Sequence, residues 1–75
     1  MLLAAVQVCS TDDLQGNLKR ASELVSIAVD RGAEFVCLPE NFAFMRREGN
    51  PFPCAQGLDG PIVGALRELA SRSRI

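Results

Sequence analysis

Two short apolar runs, separated by one amphipathic segment, constrain the fold of this chain more than any other feature. The first run covers residues 2–8 and the second covers residues 34–38. Between them, apolar residues recur at spacings of three and four, which places them on one face of a helix. A strand, a helix and a strand in this order predict a βαβ unit with parallel strands. Because both runs are almost continuously apolar, they are typical of strands covered on both faces. Two strands and two helices would leave such a sheet poorly covered, and this mismatch suggests a fragment. The apolar residues of the helix are Leu14, Leu18, Ala21, Leu24, Val25 and Ala28.

Residues that start and stop helices set the predicted boundaries. Asp12 and Gln15 resemble a capping box at the start of the first helix. Gly32 is a good stop for that helix, because a left-handed residue is least strained without a Cβ. Gly60 and Pro61 predict the start of a second helix, since proline is tolerated in the first turn. The predicted inner stripe of the second helix is Ile62, Ala65, Leu66, Leu69, Ala70 and Ser73.

Length and composition exclude several classes of function. The 75 residues can form one domain at most. The chain has no histidine, which excludes Ser/His/Asp and Cys/His nucleophile pairs within it and most zinc sites. A net charge of -1 gives no reason to expect a nucleic-acid partner. No apolar run approaches the ~20 residues of a membrane span, and the start lacks a signal-peptide pattern. We therefore expect a cytoplasmic protein with no membrane partner and no metal.

Three cysteines and one pair of arginines need an interpretation. In the cytoplasm the thiols of Cys9, Cys37 and Cys54 would be reduced. Cys9 and Cys37 are interpreted as packing residues that act as small hydrophobes, whereas Cys54 lies in a proline-rich loop. Arg46 and Arg47 are interpreted as solvated surface charge; the alternative is that one of them meets an anionic group of a substrate.

Glu40 is the residue best placed for chemistry. It follows the second apolar run and a proline, and ligands of open α/β folds gather at the carboxyl ends of parallel strands. A carboxylate there, partly desolvated by Leu38 and Phe42, can act as a general base. The alternative is a loop-surface residue or a helix cap. Asn41 and Phe42 are candidate pocket residues, although Phe42 can instead anchor the loop in the core together with Phe44.

The sequence around Glu40 resembles a known catalytic motif. Leu-Pro-Glu-Asn-Phe at 38–42 resembles the first catalytic motif of the nitrilase superfamily, the carbon–nitrogen hydrolases. Ala-Ala-Val-Gln at 4–7, Asn-Leu at 17–18 and Leu-Asp-Gly-Pro at 58–61 resemble other family segments in the right order. The chain is most similar to the Nit-type amidases, which act on ω-amides of keto acids or on deaminated glutathione. Carbamoyl amidases, nitrilases and glutaminase domains remain open as other branches.

The resemblance implies a fold and a mechanism. The family fold is a four-layer α-β-β-α sandwich, of which residues 1–75 would be the N-terminal part of a single, incomplete domain. The implied catalytic set is Glu-Lys-Cys, in which the Glu takes the thiol proton and the Lys stabilises the oxyanion. Only Glu40 matches that set. None of the three cysteines has the surroundings of the family's nucleophile, and the single lysine, Lys19, falls on the polar side of the first helix. The resemblance also implies a small amide substrate, no cofactor and a homo-oligomeric full-length protein.

Two functional hypotheses follow from these features. The first is the N-terminal segment of an amidohydrolase, inactive without the missing nucleophile and oxyanion partner. The second is a small non-catalytic α/β module for binding or assembly, in which Glu40 is an ordinary loop residue.

Overall fold

The order of elements is that of the predicted α/β unit. The computed structural model describes residues 1–49 and 57–75. These residues form strand β1 (Leu3–Ala5), helix α1 (Leu14–Asp30), strand β2 (Phe35–Cys37) and helix α2 (Pro61–Ser73). The predicted β-α-β-α order is therefore confirmed for the described ranges. Neither helix is long and apolar enough to cross a membrane.

The two strands pair in parallel, as predicted. Leu3 lies opposite Phe35, and Ala5 lies opposite Cys37. Both strands are shorter than the apolar runs that predicted them. The last backbone bond of the ladder joins the Val6 amide to the Cys37 carbonyl at 3.0 Å, and Pro39 just beyond it has no N–H to donate.

The sheet is poorly covered in the described residues, as the count of two strands and two helices predicted. Side chains of a strand alternate between faces, and burial alternates with them. Ala4 and Val36 are half-buried, whereas Leu3 is 64% exposed and Phe35 is 59% exposed. Two helices are too few elements to cover both faces, so one apolar face of the sheet is open.

Helix α1 begins one residue later than predicted. Asp13 has an extended backbone, and its Oδ1 accepts a hydrogen bond from the Gly16 amide at 3.1 Å. Asp13 is therefore the N-cap, and the predicted capping box from Asp12 is wrong. Asp12 instead forms a salt bridge with Arg47, which occupies its carboxylate.

The end of α1 confirms the role predicted for Gly32. This glycine has φ +96°, which only a residue without a Cβ adopts readily. Its amide bonds to the Val29 carbonyl at 2.9 Å, and the Ala33 amide bonds to the Ala28 carbonyl at 3.1 Å. This pair of bonds is a Schellman motif, which satisfies two carbonyls at the helix end and turns the chain into β2.

Helix α2 packs against α1 and begins as predicted. Gly60 is the N-cap and Pro61 is the first helical residue. Leu69 is buried, and most of the predicted stripe is half-buried; Ala65 is exposed because it lies at the edge of the stripe. The apolar core of the described residues is small, consisting of Ala21, Val25, Ala33, Ala43, Phe44 and Leu69.

Candidate functional site

Glu40 lies just past the carboxyl end of β2, in a turn. The Phe42 amide donates to the Pro39 carbonyl at 3.3 Å, which closes the turn around Glu40 and Asn41. Asn41 has φ +59°, a left-handed conformation that asparagine tolerates better than most residues. The turn thus places Glu40 at the sheet edge where the parallel strands end, as the sequence predicted.

A groove of about 600 Å³ opens beside this turn. Glu40, Asn41 and Phe42 contribute to one wall, and α2 contributes another. The lining is mainly apolar, with a few polar groups at one end, which is the usual composition of a small-molecule site. The other lining residues are Val25, Phe35, Val36, Cys37, Leu38, Pro39, Leu66, Leu69, Ala70 and Ile75.

The Glu40 carboxylate is unengaged within the described part of the chain. No hydrogen bond or salt bridge in residues 1–49 and 57–75 uses it. The predicted desolvation by Leu38 and Phe42 is wrong here, because Glu40 is exposed while both neighbours are only half-buried. Its catalytic role, and the substrate-binding roles of Asn41 and Phe42, stay predictions.

The two phenylalanines near Glu40 have different surroundings. Phe44 is buried, being only 9% exposed, so it is the residue that anchors the loop in the core. Phe42 is half-buried and borders the groove. This arrangement leaves Phe42 available for contact with a ligand.

Hydrogen bonds hold the loop after Glu40 against the connection between β1 and α1. We call residues 38–47 the Glu40 loop. The Met45 amide donates to the Thr11 carbonyl at 2.8 Å, and the Ser10 hydroxyl donates to the Phe42 carbonyl at 3.2 Å. Arg47 adds a salt bridge to Asp12 at 2.9 Å. The Glu40 loop is therefore fixed at several points beyond the turn.

Asn17 is the residue of this region whose role the sequence reasoning missed. It is the buried polar residue of α1, with 7% exposure, and its amide nitrogen donates to the Ala43 carbonyl at 2.8 Å. The signal was available, since Asn17 is a polar residue between Leu14 and Ala21 on the apolar face of α1. Its partner is 26 residues away, which the sequence pattern does not reveal.

The thiols do not follow their predicted packing roles. Cys9 and Cys37 are free and exposed. Cys37 lies on the open side of the sheet and also borders the groove beside Glu40. Cys54 lies outside the described residues. The single lysine, Lys19, is exposed on α1, as predicted.

Neither arginine is brought to the groove. Arg46 and Arg47 are both exposed, and Arg47 is engaged by Asp12. The alternative of an anionic substrate group at these residues gains no support from the described chain. Within the described ranges, no three acidic, Cys or His side chains lie close enough together to hold a metal ion.

Comparisons with known proteins agree with the motif around Glu40. The family model described as carbon-nitrogen hydrolase matches residues 2–75. The deaminated glutathione amidase of Synechocystis sp. (strain PCC 6803 / GT-S) is 39% identical over 74 residues, which are 99% of this chain and 27% of that protein. The chain therefore belongs to the carbon–nitrogen hydrolase family, as the sequence predicted.

Relatives from eukaryotes carry the same name. The deaminated glutathione amidase of Rattus norvegicus is 39% identical over 70 residues, covering 92% of this chain and 21% of that protein. That of Dictyostelium discoideum is 31% identical over 74 residues, covering 92% of this chain and 25% of that protein. No solved structure matches the chain significantly. The chain thus spans about a quarter of the length of the curated relatives it matches.

Proposed function

We propose that this chain supplies the general base of an amidohydrolase that cleaves a non-peptide C–N bond, and that Glu40 is this base. One observation carries the proposal: an exposed carboxylate at the carboxyl end of a parallel strand, on the wall of an apolar groove and without a partner among residues 1–49 and 57–75. The family match over residues 2–75 supports the class of reaction. General bases work from such positions because the carboxylate reaches the ligand space directly.

In the proposed reaction, Glu40 takes the proton of a cysteine thiol. The thiolate attacks the amide carbon, and a lysine ammonium group stabilises the negative oxygen that forms. The C–N bond then breaks, Glu40 returns the proton to the leaving amine, and a thioester remains. Water activated by Glu40 hydrolyses the thioester and regenerates the thiol. The lysine and the cysteine would come from outside residues 1–75. The exposed Lys19 does not line the groove. Cys37 does line it, but this residue lies within strand β2 and not in the elbow after a strand that the family resemblance implies for the nucleophile.

The proposed architecture of the complete domain is an α-β-β-α sandwich. Its support is the open apolar face of the sheet, where Leu3 and Phe35 are more than half exposed. A second sheet packed on this face would bury both residues. Burying a large apolar side chain contributes roughly 1.5–3 kcal/mol, so this face is a favourable place for further structure.

The proposed substrate is a small amide, either deaminated glutathione or the ω-amide of a keto acid. The names of the relatives from three organisms support the first of these. The groove volume of about 600 Å³ is within the range of small-molecule sites. A homo-oligomeric state of the complete protein is part of the same proposal.

The test is a chimera in which this chain replaces the matching segment of the Synechocystis amidase. We expect the chimera to release amine from deaminated glutathione. Glu40→Gln should lower kcat by about 10²–10⁴-fold, because the amide cannot accept the thiol proton. Glu34→Gln is the matched control, since Glu34 is exposed at the opposite end of β2, outside the groove.

Full activity of the Glu40→Gln chimera would overturn the base assignment and favour the non-catalytic module instead. The 75-residue chain alone should show no turnover; cysteine-dependent turnover by it would contradict the placement of Lys and Cys outside the chain.

A further inference from the structure

We propose that Asn17 is a positioning residue that holds the Glu40 loop in the geometry that proton transfer needs. This inference rests on the proposed role of Glu40 as the general base. Asn17 does not line the groove, so any effect on the reaction acts through the loop.

The side chain of Asn17 has its hydrogen-bonding groups satisfied by backbone on both sides. Nδ2 donates to the Ala43 carbonyl at 2.8 Å and to the Thr11 carbonyl at 2.7 Å. Oδ1 accepts from the Thr11 amide at 3.1 Å. One buried side chain thus joins helix α1, the β1–α1 connection and the Glu40 loop. Buried groups paired in this way rigidify the segments they connect.

The fixed points leave little freedom for Glu40. On one side, Cys37 is held in the sheet by its carbonyl, which accepts from the Val6 amide. On the other side, Phe42 and Ala43 are held by Ser10 and Asn17. Only residues 38–41 lie between these anchors, so the position of the Glu40 backbone follows from them.

Asparagine is chemically specific for this task. The Ala43 carbonyl and the Thr11 amide are paired by this side chain, and the Thr11 carbonyl accepts from its Nδ2 in addition to the Met45 amide. Alanine offers neither a donor nor an acceptor. Aspartate has nearly the same shape and keeps the acceptor, but it places a carboxylate against two carbonyl oxygens. A role in packing alone would tolerate Asn17→Asp better than Asn17→Ala, whereas a positioning role predicts that both variants fail.

The kinetic test uses the active chimera described above. Asn17→Ala and Asn17→Asp should each lower kcat by about 10–100-fold with little change in KM, since a misplaced base can cost about 10²-fold. Leu24→Ala is the control for lost packing: Leu24 is half-buried on the same helix but faces a different groove, away from the Glu40 loop. Its kcat should stay at the level of the parent.

A second measurement uses the 75-residue chain itself and needs no activity. Amide exchange of Met45, whose N–H donates to Thr11, should rise about tenfold more than exchange of the central α1 amides in both Asn17 variants. In Leu24→Ala the exchange rates of the Met45 amide and of the central α1 amides should rise by the same factor. If the exchange rates of Met45 and of the central α1 amides rise by the same factor in the Asn17 variants, Asn17 does not anchor the loop.

The outcomes separate this inference from the proposed function. An inactive parent chimera, or a fully active Glu40→Gln variant, counts against the proposed function. Loss of activity in Glu40→Gln together with parental kcat in both Asn17 variants leaves the base in place and overturns the positioning role.

Discussion

At the scale of single residues, two adjacent aspartates have different partners and should differ in their contribution to stability. Asp13 caps α1 through the Gly16 amide, whereas Asp12 forms a salt bridge with Arg47 on the surface. A cap is a hydrogen bond to an otherwise unpaired helix donor. An exposed ion pair is weakened by water and by the entropy of ordering two side chains.

Asp13→Ala should therefore lower the free energy of unfolding by about 1 kcal/mol. Asp12→Ala, the matched control, should lower it by about 0.5 kcal/mol or less, because the side chains of Arg47 and Asp12 are 75% and 36% exposed. Urea unfolding followed by circular dichroism measures both. If Asp12→Ala lowers the free energy of unfolding more than Asp13→Ala does, Asp13 is not the residue that caps α1.

The same pair shows the limit of sequence reasoning at this scale. Both aspartates precede the apolar stripe of α1, and residue type alone does not distinguish the cap from the ion pair. The cysteines show the same limit, because residue type did not predict their exposure. Cys37 lies in an apolar run, which predicts burial, but its side chain points to the face of the sheet that the described chain leaves open.

At the scale of elements, two glycines have opposite backbone requirements. Gly32 ends α1 with φ +96°, whereas Gly64 lies inside α2, where an added Cβ would meet nothing within 4 Å. At Gly32 a side chain would be strained, because it would have to adopt a left-handed backbone conformation. At Gly64 a side chain reduces the entropy of the unfolded chain and favours the helix.

Gly64→Ala should raise the free energy of unfolding by about 0.5–1 kcal/mol. Gly32→Ala should lower it by about 1–2 kcal/mol, because the left-handed conformation crowds a Cβ. Thermal unfolding should show the two midpoints moving in opposite directions, with a shift of about 4–8 °C for each kcal/mol. A stabilised Gly32→Ala variant would contradict the Schellman end of α1.

The order and type of the elements could be predicted because their periodicity is local. The 3.6-residue repeat of α1 and the apolar run of β2 need no knowledge of distant residues. The contact between Asn17 and Ala43 could not be predicted in this way, since nothing near residue 17 indicates which carbonyl its side chain meets.

At the scale of the whole molecule, the chain has a small core and an open apolar sheet face. Phe44 and Phe35 represent these two regions, with 9% and 59% exposure. The burial of Phe44 was one of the predicted alternatives, whereas the apolar run around Phe35 does not indicate which of its two faces is covered. A domain of this size rarely has more than about 3–5 kcal/mol of stability.

Phe44→Ala should therefore abolish the cooperative unfolding transition, since emptying a buried aromatic site costs about 3–5 kcal/mol. Phe35→Ala should change the free energy of unfolding by about 0.5 kcal/mol or less, because the ring is largely in water already. Urea titration of the 75-residue chain compares the two. Similar losses in both variants would show that the sheet face is covered in solution.

The bonds between the β1–α1 connection and the Glu40 loop also bear on recombination between homologous enzymes. The contacts that fix the loop join residues 10–17 to residues 42–47, so both partners of each contact lie within the continuous stretch 10–47. A crossover placed after residue 47 transfers the loop with its supports, whereas a crossover between residues 18 and 41 separates them. Residues 10–47 can therefore be exchanged between homologous enzymes as one segment that keeps the Glu40 loop together with the residues that fix it.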